Sequence, residues 1–582
     1  MKATLKSELT SVLAGPVLRC LVVLLLGCLP WQSMAQTRDT YWIAFNRKPA
    51  GSYSLNAPQA YLSPRAIARR QRQGIPIDST DLPVHQPFMD SVQAAGGQVK
   101  HRSRWLNGVT VRIPNNDSVV LNRILALSFV GQAVPSGRKG PPSGSSPKGP
   151  LAVANAPFDL EGMPAPRAVW GQRTQSIYGA AEAQIRLHKG DYLHGRNYRG
   201  QGMRIAVFDA GFAAMPQIAL LDSLFLQGRI MDTYDFVDMD STVYELDGHG
   251  TYVMGCLAAN QPGVLMGTAP LAEYLLYRSE NNVGGSENPV EEDNWVAAAE
   301  RADSAGADVF NSSLIYTTFD EPAWNHAWSD MDGNTAHMTI ASDMAASKGI
   351  LVVNSAGNYG GGPWYKIGAA ADGDSVLAVG AVDTLGQRAG FSSMGPTADG
   401  RIKPNVMAVG AGAASCQIPG PGIAYISGTS FSGPLMAGLA ACLWQALPQR
   451  RAMEILDLLQ RCSDRHTQPD TLYGHGIPNL QTAMALAGQA EPPPPSRSGF
   501  SLYPNPSPTH QALTLRLDNL PEGWYRLTWQ DAKGSIAHQE QPFYGTGAAA
   551  LLIPISKPQA GTYVVRLEGS SFLGQSLCIL LP

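Results

Sequence analysis

Three polar side chains in this sequence sit in settings that suit nucleophilic catalysis. Ser430 lies in Ser427-Gly428-Thr429-Ser430-Phe431-Ser432-Gly433-Pro434, ahead of an apolar run from Leu435 to Leu447 that reads as a long helix. Pro434 is tolerable because it falls in the first turn. The hydroxyl is thereby placed at a helix N-terminus, where unpaired N–H groups and the dipole favour a developing negative charge. Helix capping is the ordinary role of such a serine, and Thr429 or Ser432 would serve it equally well. His249 lies in Asp247-Gly248-His249-Gly250-Thr251. A single histidine is usually structural, but flanking glycines let the backbone approach closely and leave the imidazole room. Asp209 ends the run Arg204-Ile205-Ala206-Val207-Phe208, at the point where open α/β sheets build their sites. A turn or capping aspartate is the competing reading. A carboxylate, an imidazole and a hydroxyl brought together perform acyl transfer through a covalent intermediate.

The elements that must position these groups are legible as an alternation. Strand candidates are Met203 to Asp209, Tyr274 to Arg278, Asp308 to Ser312, Ile350 to Asn354 and Val376 to Val382. All are nearly continuous in hydrophobicity. Helical stretches, including Asn294 to Ala305 and Thr335 to Ser347, lie between several of them. That order predicts an α/β domain whose mostly parallel sheet is covered on both faces.

Together the three segments resemble the subtilase (subtilisin-like) serine peptidase family, in its chain order Asp, His, Ser. The serine segment fits the family pattern Gly-Thr-Ser-x-Ser/Ala-x-Pro throughout, and the histidine segment fits through Gly250-Thr251. Ala210 stands where members usually carry Ser or Thr, a hydroxyl that helps hold the carboxylate, and Met254 stands where a small residue is usual. The resemblance runs from about Gly200 to Leu486 and includes Tyr473-Gly474-His475-Gly476-Ile477-Pro478-Asn479. It implies a secreted serine endopeptidase with Asp209, His249 and Ser430 as catalytic triad. Asn358, in Asn354-Ser355-Ala356-Gly357-Asn358, would supply the oxyanion-hole amide. Ser313, Leu314 and Ile315 would line the substrate on one side, and Ser355, Ala356 and Gly357 on the other. The family usually has Gly where Ile315 stands, which narrows the pocket for the residue preceding the cut. Two other classes compete: a catalytically weak or inactive surface binding or adhesion protein on the same scaffold, and a serine esterase. The Gly-x-Ser-x-Gly elbow of an esterase does not surround Ser430.

The 582 residues are 44% apolar and 15% charged, with a formal net charge of -3. No basic stripe would attract nucleic acid. Residues 1–35 read as a signal peptide: Lys2, Lys6 and Arg19 precede an apolar run from Cys20 to Leu29, and Ser33-Met34-Ala35 offers the cleavage site. The run is too short for a transmembrane anchor, while Leu25-Leu26-Gly27-Cys28 leaves lipidation at Cys28 open. Residues 36–130 read as an αβ domain resembling a subtilase propeptide, with a permanent accessory domain as the alternative. A Pro/Gly-rich linker, 131–168, precedes the catalytic domain at 169–490. A Pro-rich linker at 491–499 leads to a β-sandwich at 500–582, which resembles the C-terminal sorting domain of type IX secretion. A generic carbohydrate- or protein-binding β-domain is the other reading there. Export through an outer membrane and contact with that secretion machinery follow from the resemblance. Protein or peptide substrates are the expected partners. No cofactor is required by the motifs. Asp232, Asp235, Asp238 and Asp240 offer oxygens to calcium or form a solvated loop. Of the cysteines beyond the signal, Cys442 and Cys462 are a conceivable bridge.

Overall fold

The structure, a computed structural model, describes residues 37–49, 51–139, 176–282, 286–488 and the strands of 499–581. Residues 131–139, read as the start of a linker, instead belong to a strand of the N-terminal sheet; the signal peptide, the rest of that linker and the Pro-rich run up to 498 lie outside the described residues.

The N-terminal domain is a four-stranded antiparallel sheet in the order β2-β3-β1-β4, from β1 (Thr37–Phe45), β2 (Gln98–Ser103), β3 (Gly108–Arg112) and β4 (Val130–Lys139). Its core, built on Ile43, Phe88, Val92, Val109, Val111 and Ile124, joins the sheet to two of three helices. The first, α1 (Pro64–Gln73), starts as its sequence demands: the Ser63 hydroxyl accepts from Ala66 N at 3.2 Å and Pro64 opens the first turn. It belongs to a long connection between β1 and α2 (Gln86–Ala94) and contributes nothing to that core. The third helix is α3 (Ser118–Leu125).

The central domain is a seven-stranded parallel sheet in the order β13-β12-β11-β10-β5-β9-β6. Its strands are β5 (Arg204–Asp209), β6 (Ile230–Asp235), β9 (Glu273–Arg278), β10 (Val309–Ser312), β11 (Leu351–Ser355), β12 (Val376–Val382) and β13 (Val406–Val409), while β7 (Asn260–Gln261) and β8 (Leu265–Met266) pair with each other as a separate hairpin. Five of them match the predicted runs to within a residue. β6 went unread because Met231, Asp232 and Thr233 break its apolar pattern. Side chains alternate between the faces, as a pleated strand requires. Ile205 and Val207 enter one core, while Ala206 and Phe208 enter the other. After three short helices, α4 (Glu182–Arg186), α5 (Gly190–His194) and α6 (Asp222–Leu226), the first face is covered by α7 (His249–Ala258). The opposite face carries α8 (Val290–Ala305) and α9 (His337–Ser347), and α10 (Thr429–Ala446) returns to the first. Two more helices, α11 (Ala452–Arg461) and α12 (Leu480–Leu486), close the domain. Beyond 499 the chain is strand-rich, forming a three-stranded and a six-stranded sheet. No helix of the described residues is long and apolar enough to cross a membrane. Cys442 and Cys462 are free and buried, so the conceivable bridge between them is absent. The Cys442 thiol instead donates to Thr268 O at 3.2 Å.

Gly255, in the middle of α7, is required by packing. A Cβ there would run into the Ser415 hydroxyl and lie 2.8 Å from the Cys416 backbone nitrogen. Backbone must shift to admit even alanine. Gly255→Ala is expected to cost about 1–3 kcal/mol, the usual range for overpacking, read as a lowered thermal midpoint with unchanged far-ultraviolet dichroism.

Candidate active site

Asp209 is the last residue of β5 and has no exposed surface. Its Oδ1 accepts from the Ala210 backbone N–H at 2.9 Å and from His249 Nδ1 at 2.8 Å. The imidazole therefore carries its proton on Nδ1 and leaves Nε2 as the basic nitrogen. Oδ2 of Asp209 has no hydrogen-bond partner, as expected where Ala210 supplies no hydroxyl. The Ala210 peptide is instead fixed from its carbonyl, which accepts from Arg278 Nε at 3.0 Å. Nothing in the sequence pointed to Arg278. It is paired in register with Asp209 on the adjoining strand.

His249 opens α7, and its surroundings explain the glycines beside it. Gly250 N donates to Gly211 O at 2.9 Å, and a Cβ on Gly250 would sit 2.5 Å from that same oxygen. The Thr251 hydroxyl donates to Ala213 O at 2.8 Å. These bonds lock the first turn of α7 against the loop that follows Asp209. Asp247 Oδ1 accepts the His249 backbone N–H at 2.6 Å. Burial alone would make the imidazole less basic, but Asp209, Asp247 and Glu280 outweigh it and raise the His249 pKa to about 9.

Ser430 stands in the first turn of α10 and is almost fully buried. The turn is held from beneath by hydroxyls: Ser313 donates to Ser430 O at 3.0 Å and Ser355 to Thr429 O at 2.8 Å. Ser313 and Ser355, read from the sequence as substrate-lining, thus have their side chains engaged in shaping this turn. Gly357 N donates to the Thr429 hydroxyl at 3.1 Å. Leu314 is buried in the second core, and Ala356 packs with Ile367 and Ala378, with Ile315 against them. Asn358 is exposed, and its Oδ1 accepts from both the N–H and the hydroxyl of Thr429, at 2.8 and 3.0 Å. With the carbonyl oxygen committed, the amide nitrogen is the atom left to face solvent. Thr429 was legible only as part of a motif; that it orients Asn358 was not. The His249 and Phe431 rings lie 5.7 Å apart, so the imidazole faces the start of α10. No hydrogen bond joins the Ser430 hydroxyl to His249. Such bonds often tighten only when substrate is bound.

The four aspartates offered to calcium are spread among other partners. Arg278 bonds Asp235 at 2.6 Å and Asp238 at 2.7 Å, and Arg301 and Tyr277 bond Asp232. Asp240 accepts from Thr242 N at 2.7 Å. Among the described residues no group of three or more His, Cys, Asp or Glu is placed to hold a metal ion.

Comparison with known proteins finds a family and relatives for this chain. A family model described as the subtilase family matches residues 200–476, and one described as the peptidase S8 propeptide domain of Bacteroidota matches residues 40–143. The chain is 33% identical over 301 residues to the thermophilic serine proteinase of Bacillus sp. (strain AK1), covering 50% of this chain and 64% of that protein. It therefore spans a little under two thirds of that relative's length. It is 32% identical over 301 residues to subtilisin NAT of Bacillus subtilis subsp. natto, covering 51% of this chain and 69% of the relative. With subtilisin DY of Bacillus licheniformis the identity is 31% over 303 residues, covering 51% and 97%.

The raised His249 pKa has a direct readout. In a Ser430→Ala background the imidazole should titrate, by NMR, well above the ordinary 6.5 and near 9. Asp247→Asn keeps the oxygen that caps His249 but removes a negative charge, so the midpoint should fall. An unchanged midpoint would assign the shift to Asp209 and Glu280 alone.

Proposed function

The chain belongs to the subtilase family, and from that membership we propose that it is a serine endopeptidase with Ser430 as nucleophile. The observation that carries the reading is the buried 2.8 Å bond from His249 Nδ1 to Asp209, with the imidazole 5.7 Å from the ring of Phe431, the residue after Ser430.

In this mechanism His249 Nε2 takes the Ser430 proton as the oxygen attacks a peptide carbonyl carbon. Asp209 fixes the tautomer and stabilises the imidazolium that forms. The carbonyl oxygen becomes an oxyanion held by the Asn358 amide and the Ser430 backbone N–H, both placed before the reaction begins. His249 then gives its proton to the departing amine. Water attacks the acyl-enzyme by the same route and restores the hydroxyl. The peptide lies extended along 313–315, pairing through main-chain groups, with 355–357 as the facing wall and Ile315 narrowing the pocket before the scissile bond. Because the base must be neutral, kcat/KM should rise with pH through the raised His249 pKa, giving an alkaline-leaning enzyme.

The N-terminal domain is the propeptide in this reading: it assists folding, and the chain is cut beyond β4 on maturation. A signal peptide carries the chain out of the cytoplasm. The strand-rich C-terminal region, opened by Leu502-Tyr503-Pro504-Asn505-Pro506 and ending near Gly561-Thr562-Tyr563-Val564-Val565, addresses it to type IX secretion, for release or attachment at the cell surface.

Ser430→Ala should abolish casein hydrolysis and fluorophosphonate labelling together, with kcat falling by roughly a millionfold. Equal casein clearance by the two proteins would overturn the assignment. Asn358→Ala should lower kcat by about 10²–10³-fold with little change in KM. Thr429→Val leaves the Asn358 amide in place but removes one of its two anchors, so a smaller loss of kcat at constant KM is expected.

A further inference from the structure

The connection between β1 and α2, residues 46–85, does not behave like part of a detachable inhibitor. It leaves the N-terminal sheet, passes beneath the central sheet and binds the N-terminal ends of its strands. Ser63 N donates to Ser304 O at 3.0 Å. Arg65 donates to Gly306 O at 2.9 Å and Gly202 O at 2.6 Å, and pairs with Asp308 just before β10. Gln73 bridges two elements, donating to Gly349 O at 2.6 Å and accepting from Ala452 N, at the head of α11, at 2.9 Å. Arg72 lies over the Trp444 ring at 5.9 Å.

Between these anchors sits a buried ion cluster that neither domain completes alone. Arg69 and Arg70 of α1, and Arg104 after β2, all reach Asp303 at the end of α8. Arg70 also bonds Asp81 at 2.7 Å, and Arg69 donates to the carbonyls of Ala307 and Lys348. In return Lys348 of the central domain sends its ammonium to Asp78 at 3.1 Å, Thr80 at 2.6 Å and Asp81 at 3.3 Å. Arg69, Arg70, Asp81, Asp303 and Lys348 are at most 2% exposed. Burying so many charges costs free energy that only complete pairing recovers, so loss of one side is severe. Trp105 of the N-terminal domain, meanwhile, packs into the second core of the central domain with Trp295 and Phe310. Gly306 and Gly349, where side chains would strike Arg65 and Gln73, clear the path for the strap.

This contact lies at the opposite end of the sheet from the chemistry. Along β5, from Arg204 to Asp209, the separation is about 17 Å at 3.3 Å per residue. The strap bound there is thus remote from Asp209. We propose that residues 46–85 are a permanent brace: when the chain is cut beyond β4, the N-terminal domain stays bound to the central domain and remains part of the working protein. The inference goes beyond the proteolytic reading and does not require it.

The test begins with full-length Ser430→Ala carrying a recognition sequence for an unrelated, site-specific protease between Lys139 and Ser176. After complete cutting, both fragments should co-elute on gel filtration, in 0.15 M and in 1 M NaCl. Elution of the N-terminal fragment on its own would overturn the brace. Arg65→Ala with Gln73→Ala, which spares the buried cluster, should weaken the complex by at least about tenfold. An unchanged affinity would show that the sheet contacts hold the domain and would also overturn the proposal. The same cut in the Ser430 protein separates a brace from an inhibitor: the co-eluting complex should react with fluorophosphonate. Labelling confined to fractions free of the N-terminal fragment would sink the brace. Failure of labelling in every fraction, with co-elution intact, would instead count against the peptidase reading.

Discussion

A carboxylate with no access to water survives only where its charge is shared, and Asp209 is such a group. Its one strong partner is the His249 imidazole at 2.8 Å. That single bond fixes which nitrogen is basic, raises its affinity for a proton and determines where α7 must begin. Close approach of α7 to the loop after Asp209 excludes side chains at Gly250. Burial of the carboxylate in turn requires that β5 be a central strand, with β10 and β9 on either side. The site's chemistry and the sheet's topology are therefore one constraint viewed at two scales.

The second half of the site is assembled by hydroxyls. Thr429, Ser355 and Ser313 each spend a hydrogen bond on the turn that presents Ser430 or on the amide beside it. None needs to touch substrate to matter. Donors that need not reorient stabilise a developing charge best, and the two bonds from Thr429 to Asn358 Oδ1 fix the orientation of that amide.

What could be read in the sequence was what is local or periodic. Buried strands announced themselves through unbroken Val, Ile and Leu, and α1 through Ser63 and Pro64. Asp209, His249 and Ser430 were picked out because each stands in an unusual local setting. Long-range electrostatics left no such trace. Ser63 to Gln73 reads as a basic helix, yet its Arg69 and Arg70 are buried against Asp303, more than 230 residues away. Ser103-Arg104-Trp105-Leu106-Asn107 has an exposed look that suits contact with the catalytic domain; that contact is made, and it buries the side chains of Ser103, Arg104 and Trp105 against α8. Asp235 and Asp238 suggested a cation and found one in the Arg278 guanidinium, contributed by a strand whose own pattern gave no hint of it.

A parallel sheet gives its two ends different chemistry, and this protein uses both. Strand C-termini converge on the candidate site, where Asp209, Ser313 and Ser355 lie. Strand N-termini expose carbonyls and helix ends with no catalytic duty, and there Arg65, Arg69 and Gln73 bind backbone oxygens of Gly306, Ala307 and Gly349. Fixing that end holds β5, β10 and β11 in register without touching the reacting groups. An inhibitory contact must be relinquished for the enzyme to work. A contact on the far side carries no such requirement, and its buried charges make separation costly. One folded unit is thereby able to support the sheet through the strap at the end remote from Asp209.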